Sequence, residues 1–138
     1  MRSALRSIAA VLAGFVAASI VMMLIETING RVFFPELGKA AEGVTDRERL
    51  RALLATAPVG ALLVVIVAWI LGGVTGGWTA TRLSVRRTAV HGLVVGALLT
   101  AAGVANNLMI PPPLWFWIAS LVVLIPAAYF GARVARLR

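Results

Sequence analysis

Residues 88–132 read TAVHGLVVGALLTAAGVANNLMIPPPLWFWIASLVVLIPAAYFGA, and these 45 positions hold no Asp, Glu, Lys or Arg. Three prolines, Pro111, Pro112 and Pro113, divide the stretch into 23 and 19 residues. A helix rises 1.5 Å per residue, so roughly 20 apolar residues cross a hydrocarbon core of about 30 Å. Each half therefore reads as one membrane-spanning helix, and the prolines, which cannot continue a helix, read as the turn between them. The runs are continuous and do not alternate apolar with polar, which argues against a β-barrel.

The rest of the chain repeats the pattern. Ser7 to Ile25 is a 19-residue uncharged run and Ala52 to Thr81 one of 30. Hydrophobic residues make up 61% of the 138 and charged ones 13%, with a mean hydropathy of +0.98. A soluble domain carries about 25% charge, so the composition excludes an ordinary soluble enzyme, a disordered chain and a coiled coil. The expectation is one integral membrane domain, 1–138: an all-α, four-transmembrane-helix antiparallel bundle. Its spans fall at about 7–33, 58–81, 88–110 and 114–131. Arg2 and Arg6 precede the first run as they would in a signal peptide, but the run outlasts the usual apolar region of one, so an uncleaved span is expected.

A net charge of +8 would point to nucleic acid in a polar protein. Here the arginines sit at the ends of apolar runs, so the expected counter-charge is the anionic headgroups of a membrane surface, with no nucleic acid. Arg2 and Arg6, then Arg82, Arg86 and Arg87, then Arg133, Arg136 and Arg138 have no acidic neighbours, whereas the first loop balances Lys39, Arg47, Arg49 and Arg51 with Glu36, Glu42, Asp46 and Glu48. The positive-inside rule then places both termini and the central link in the cytoplasm, as expected of an integral protein of a cytoplasmic (inner) membrane. Phe33, Phe34, Trp115, Phe116 and Trp117 would form an outer aromatic belt, and Trp78, Tyr129 and Phe130 an inner one; Trp69 falls mid-span and belongs to neither.

Between spans one and two, Thr45-Asp46-Arg47-Glu48 has the form of a capping box with Thr45 at the N-cap. Leu50, Leu53, Leu54 and Ala57 follow at helical spacing, which predicts a short extracytoplasmic amphipathic helix at about 46–56. Pro58 suits the first turn of span two.

Small residues carry the packing signal. Gly72, Gly73, Gly76 and Gly77 form a doubled small-xxx-small pattern, and Gly92, Gly96 and Gly103 share a face of span three with Asn107. Such glycine-zipper stripes let helix backbones approach where lipid supplies no hydrophobic drive. They serve either to pack spans two and three together or to form a homo-oligomer. Pro126 predicts a kink in span four.

Glu26 is the one carboxylate inside span one. Counted from Ser7 it lies about 28 Å along, near the far edge of the core; counted back from Phe33 it lies about 10 Å below the outer belt. An intramembrane carboxylate is a functional-site hypothesis by default. Asn29 shares its face, and Asn106 and Asn107 lie at comparable depth in span three. The expected ligand or ion site is an outer polar pocket of Glu26, Asn29, Asn106 and Asn107, with Glu26 as proton or cation acceptor. The alternative is inter-helix hydrogen bonding that fixes helix order, at about 0.6 kcal/mol per bond.

No catalytic constellation, nucleotide loop or HExxH pattern is present, and one histidine, His91, without cysteine cannot build a zinc site. No catalytic residue, metal or cofactor is expected. The runs Ala55–Gly60 (ATAPVG) and Asn106–Trp117 (NNLMIPPPLWFW) resemble those of small uncharacterised four-helix bacterial inner-membrane proteins. That resemblance implies a four-span fold and carries no activity. The first expectation for function is a non-enzymatic structural or accessory membrane component that self-associates or joins a membrane partner protein. The alternatives are a small transporter or channel protomer using the site around Glu26, and a lipid-active membrane enzyme.

Overall fold

The computed structural model describes residues 1–137, so Arg138 of the basic tail lies outside the described residues. The chain is all-helical, with no strand among the described residues. Helix α1 spans Arg2–Ile28 and continues through a π-helical turn, Asn29–Phe33. Then come α2 (Pro35–Ala41), α3 (Arg47–Ala55), α4 (Val59–Leu83), α5 (Ala89–Met109) and α6 (Leu114–Arg136). Four segments are long and apolar enough to cross a membrane: Arg2–Phe33, Val59–Leu83, Ala89–Met109 and Leu114–Arg136.

The first of these starts earlier than its apolar run and the last ends later, so Arg2, Arg6, Arg133 and Arg136 are helical. Arginine is a good helix former, and its long stem lets the charge reach water from an apolar helix end. An apolar window thus marks the part of a helix that lipid tolerates, not the whole helix. The last helix also runs on through Pro126 without interruption.

Helix α4 is the centre of the molecule, with 11 of its 25 residues buried. Its doubled glycine pattern divides the work. Gly72 and Gly76 face Ala18, Met22 and Gly14 of α1, whereas Gly73 and Gly77 face Ala127 and Ala128 of α6. Adjacent residues point about 100° apart, so two rows offset by one residue meet two different neighbours. The glycines of α5 were expected to pack on span two or to serve self-association. Gly92 and Gly96 lie mainly against Ala132, Ala128 and Ile125 of α6, while Gly92 also meets Gly77 of α4 and Gly103 meets Trp69 of α4. Each of these glycines thus meets another helix of the same chain.

The first loop holds one more helix than its sequence announced. Pro35 opens α2 at a first-turn position, with Glu36 in that turn. Gly38 then sits flush on the Gly30 backbone, where a Cβ would strike the Gly30 carbonyl oxygen. Helix α3 is capped by Asp46, not Thr45: the Asp46 carboxylate accepts the Arg49 N–H at 3.2 Å. Both residue types cap well, and the start shifts by one because the carboxylate also suits the positive end of the helix. Leu50, Leu53, Leu54 and Ala57 are half-buried while Arg47, Glu48, Arg49 and Arg51 are exposed. Leu54 and Ala57 pack against a cluster of Leu62, Ile66 and Phe116.

Arg47 fastens α3 to the end of α5. Its Nε donates to the Leu108 carbonyl at 2.8 Å. In a continuing helix that carbonyl would accept from residue 112, which is a proline without an N–H. The triple proline thus leaves an acceptor that Arg47 satisfies. Arg47→Ala is expected to speed amide hydrogen exchange across α3 roughly fivefold, the worth of one exposed charge-assisted bond, with α4 unchanged.

Candidate functional site

The helices close on one another at Gly14: it lies against the Gly76 carbonyl, Ala80 and Val95, so α1, α4 and α5 meet at that level. On the arginine side of this contact a separate apolar groove of about 400 Å³ lies between α1 and α5, lined by Ile8, Val11, Leu12, Val90, Val94 and Leu98. Beyond Gly14, toward the loop end, α1 and α5 part. A cleft of about 320 Å³ opens between them, walled by Phe15, Ser19 and Met22 of α1 and by Ala102 and Asn106 of α5. Trp69 and Leu124 form its floor. It runs from Phe15 to Glu26, eleven residues or about 16 Å. That length is close to half the thickness of a hydrocarbon core.

Glu26 stands at the loop end of this cleft. Its Oε1 accepts a hydrogen bond of 2.9 Å from Trp69 Nε1. Trp69 lies ten residues, about 15 Å, into α4 from Val59. Side chains lean toward the N-terminus of their own helix. Successive residues of α1 meet residues of α4 in descending order: Gly14 by Ala80, Met22 by Gly72, and Asn29 by Ala61. The Glu26 carboxylate and the Trp69 indole therefore lean toward one another and meet between their backbone levels.

The indole is fixed on its other sides. It meets the Phe116 ring edge-on, with centroids 6.0 Å apart and planes at 71°. A Cβ on Gly103 would lie 2.9 Å from the indole Cζ3, so the glycine leaves the ring its room. Trp69 is only 5% exposed. A buried indole N–H needs an acceptor, and Glu26 is the one it finds.

The four expected site residues divide into two pairs. Glu26 and Asn106 both line the cleft. Asn29 and Asn107 do not: each is buried and pins two helices. Asn29 Nδ2 donates to the Ala61 carbonyl of α4 at 3.0 Å, and Asn107 Nδ2 to Ser120 Oγ of α6 at 3.3 Å. Asn106 and Asn107 are sequence neighbours on different faces, which is why one opens to the cleft and the other is sealed. Ser19, also on the wall, spends its hydroxyl on the Phe15 carbonyl at 2.9 Å. The open polar groups of the cleft are thus the Glu26 carboxylate and the Asn106 amide, in otherwise apolar surroundings.

A second cavity, of about 470 Å³, lies on the other side of Glu26 and is bounded by Arg31, Pro35, Gly38, Lys39 and Glu42. Glu26 thus belongs to both spaces, one apolar and one charged. No ion pair joins Glu26 to Arg31; among the described residues the single ion pair is Lys39–Glu36 at 3.6 Å, on the surface. The π-helical turn positions this vestibule. The Phe34 N–H reaches back five residues to the Asn29 carbonyl at 2.8 Å, and the chain then folds α2 onto Gly30. Such turns recur at functional sites because one extra residue re-aims the side chains around it.

Away from this corner, His91 Nδ1 and Thr88 Oγ1 lie 3.2 Å apart at the start of α5. No group of three His, Asp or Glu that could hold a metal ion occurs among the described residues.

No protein-family model matches the chain, and neither a curated protein nor a solved structure matches it.

Proposed function

We propose that this chain is a non-enzymatic membrane protein, an antiparallel bundle of four spans, that holds an amphipathic amine-bearing molecule in the cleft between α1 and α5. The observation that carries the reading is Glu26: a carboxylate anchored to Trp69 at the head of an apolar cleft that runs about the depth of one leaflet. An apolar slot with one charged group at its end suits a ligand with one apolar tail and one cationic, hydrogen-bonding head. The Trp69 bond occupies Oε1 and leaves the other carboxylate oxygen for that head.

In the proposed topology the clusters at Arg2, Arg6, Arg82, Arg86, Arg87, Arg133 and Arg136 face the cytoplasm of a bacterial inner membrane. The cleft then opens sideways into the outer leaflet, and α3 lies as an amphipathic helix at the outer surface. Contact at Gly14 argues for a holding role over a channel, since the cleft ends there. The absence of a nucleophile–base pair in its lining argues for binding over catalysis. The glycine stripes face inward, so the reading does not rest on self-association.

The test uses Trp69 as reporter. With Trp78, Trp115 and Trp117 changed to Phe, a brominated long-chain primary amine is expected to quench Trp69 saturably. A variant keeping only Trp78 is expected to show no saturable quenching. Native mass spectrometry of the unmutated protein with the same amine supplies a second readout, independent of the tryptophan substitutions. Equal quenching in both variants, or no adduct on the unmutated protein, overturns the reading.

A further inference from the structure

We infer that the head of the bound molecule is a phosphoethanolamine group, and hence that the occupant is a phospholipid with one acyl chain in the cleft and its zwitterionic head in the vestibule formed by α2 and the π-helical turn. The inference rests on the cleft reading above and adds the vestibule to it.

Glu26 lines both spaces, so a molecule whose tail fills the cleft brings its head to the residue that borders the vestibule. The vestibule is lined by two cations, Arg31 and Lys39, and two carboxylates, Glu26 and Glu42, and the one ion pair near it is the exposed contact of Lys39 with Glu36. A simple amine uses only the carboxylates and leaves the cations beside its own positive charge. A simple anion uses only the cations and meets the carboxylates. A head carrying both signs satisfies all four. Arginine matches a phosphate diester through its fork of N–H donors, and lysine adds a point charge.

The choice of ammonium follows from what the vestibule lacks. A quaternary ammonium has no N–H and is held on aromatic faces. The vestibule lining, which includes Thr27, Gly30 and Pro35 beside the charged residues, contains no aromatic side chain. Carboxylates instead favour a primary ammonium, which offers three donors to two acceptors.

Chain number follows from the cleft. Its length along α1 is about 16 Å, near one leaflet's depth, and it narrows to nothing at Gly14. One chain therefore lies inside, and any second chain stays in the bilayer.

The experiment compares four brominated probes on the Trp69-only variant in detergent: a lysophosphatidylethanolamine, a lysophosphatidylcholine, a monoacylglycerol and the long-chain amine. The phosphoethanolamine lipid is expected to bind at least tenfold more tightly than each of the others. Changing both Arg31→Gln and Lys39→Gln is expected to lower its affinity tenfold or more without lowering the amine's, which loses two like charges from its surroundings. Equal affinity for the amine and the phosphoethanolamine lipid overturns the head assignment and leaves the cleft reading standing. Preference for the choline lipid overturns it likewise, as does an affinity that ignores Arg31 and Lys39. Failure of all four probes to quench overturns the cleft reading itself. The same comparison by native mass spectrometry on the unmutated chain keeps each outcome readable if the Trp69-only variant does not fold.

Discussion

Gly77→Val abolishes the folded protein: in mild detergent it is expected to lose the single sharp gel-filtration peak and to melt below the range in which the unmutated chain is intact. The reason lies in what a side chain at this position would meet. A Cβ on Gly77 would run into the carbonyl oxygen of Ala128, and a Cβ on Gly131 would run into that of Val74, so α4 and α6 touch backbone to backbone from both sides. Backbone oxygens cannot rotate away as a side chain does. The helices must separate, and the cost is expected to be about 3 kcal/mol or more. In contrast, Gly60→Ala meets only the Phe34 ring, which can shift, and is expected to change the melting temperature little. Gly77→Val with an unaltered melting temperature would show that α4 and α6 are not in this contact.

The four long helices were legible because a helix able to cross a hydrocarbon core needs roughly 20 mostly apolar residues in a row, and four stretches of this chain meet that demand. What that demand leaves open is which neighbour each face meets. The doubled glycines announced two close approaches, yet periodicity gives only a face, so α1 and α6 as their partners could not be read from it. The arginine-bearing ends of α1 and α6 were invisible for a related reason: their residues tolerate helix as well as loop. Helix α2 left a weak signal in Pro35 and Glu36, too short to carry a hydrophobic period.

The site was half legible. Glu26 stood out by charge alone, and Asn106 by depth. Asn29 and Asn107 looked the same in the sequence but are pins, because a buried amide is as useful for joining helices as for binding. Trp69 was missed although its signal was present. A tryptophan mid-span fits no interfacial belt, and its N–H requires an acceptor there. Glu26 was the one carboxylate within a span that could accept from it.

Two substitutions of Glu26 should separate its part in stability from its part in binding. Glu26→Gln keeps an oxygen that accepts the Trp69 N–H and removes the charge. Its melting temperature is expected to stay close to that of the unmutated chain, while affinity for the long-chain amine falls tenfold or more. Glu26→Leu removes the acceptor as well. It leaves the indole N–H unpaired among apolar groups, a loss expected at roughly 1–2 kcal/mol. Adding Trp69→Phe to Glu26→Leu removes the stranded donor, so the pair is expected to be more stable than the sum of the two single changes. That positive coupling is the signature of the bond at 2.9 Å rather than of ring packing, which Trp69→Phe largely keeps. Additive losses would mean that carboxylate and indole do not meet in the folded protein. Undiminished amine binding in Glu26→Gln would mean that the charge at the head of the cleft recognises nothing, and the assignment of the cleft to a cationic head would fall with it.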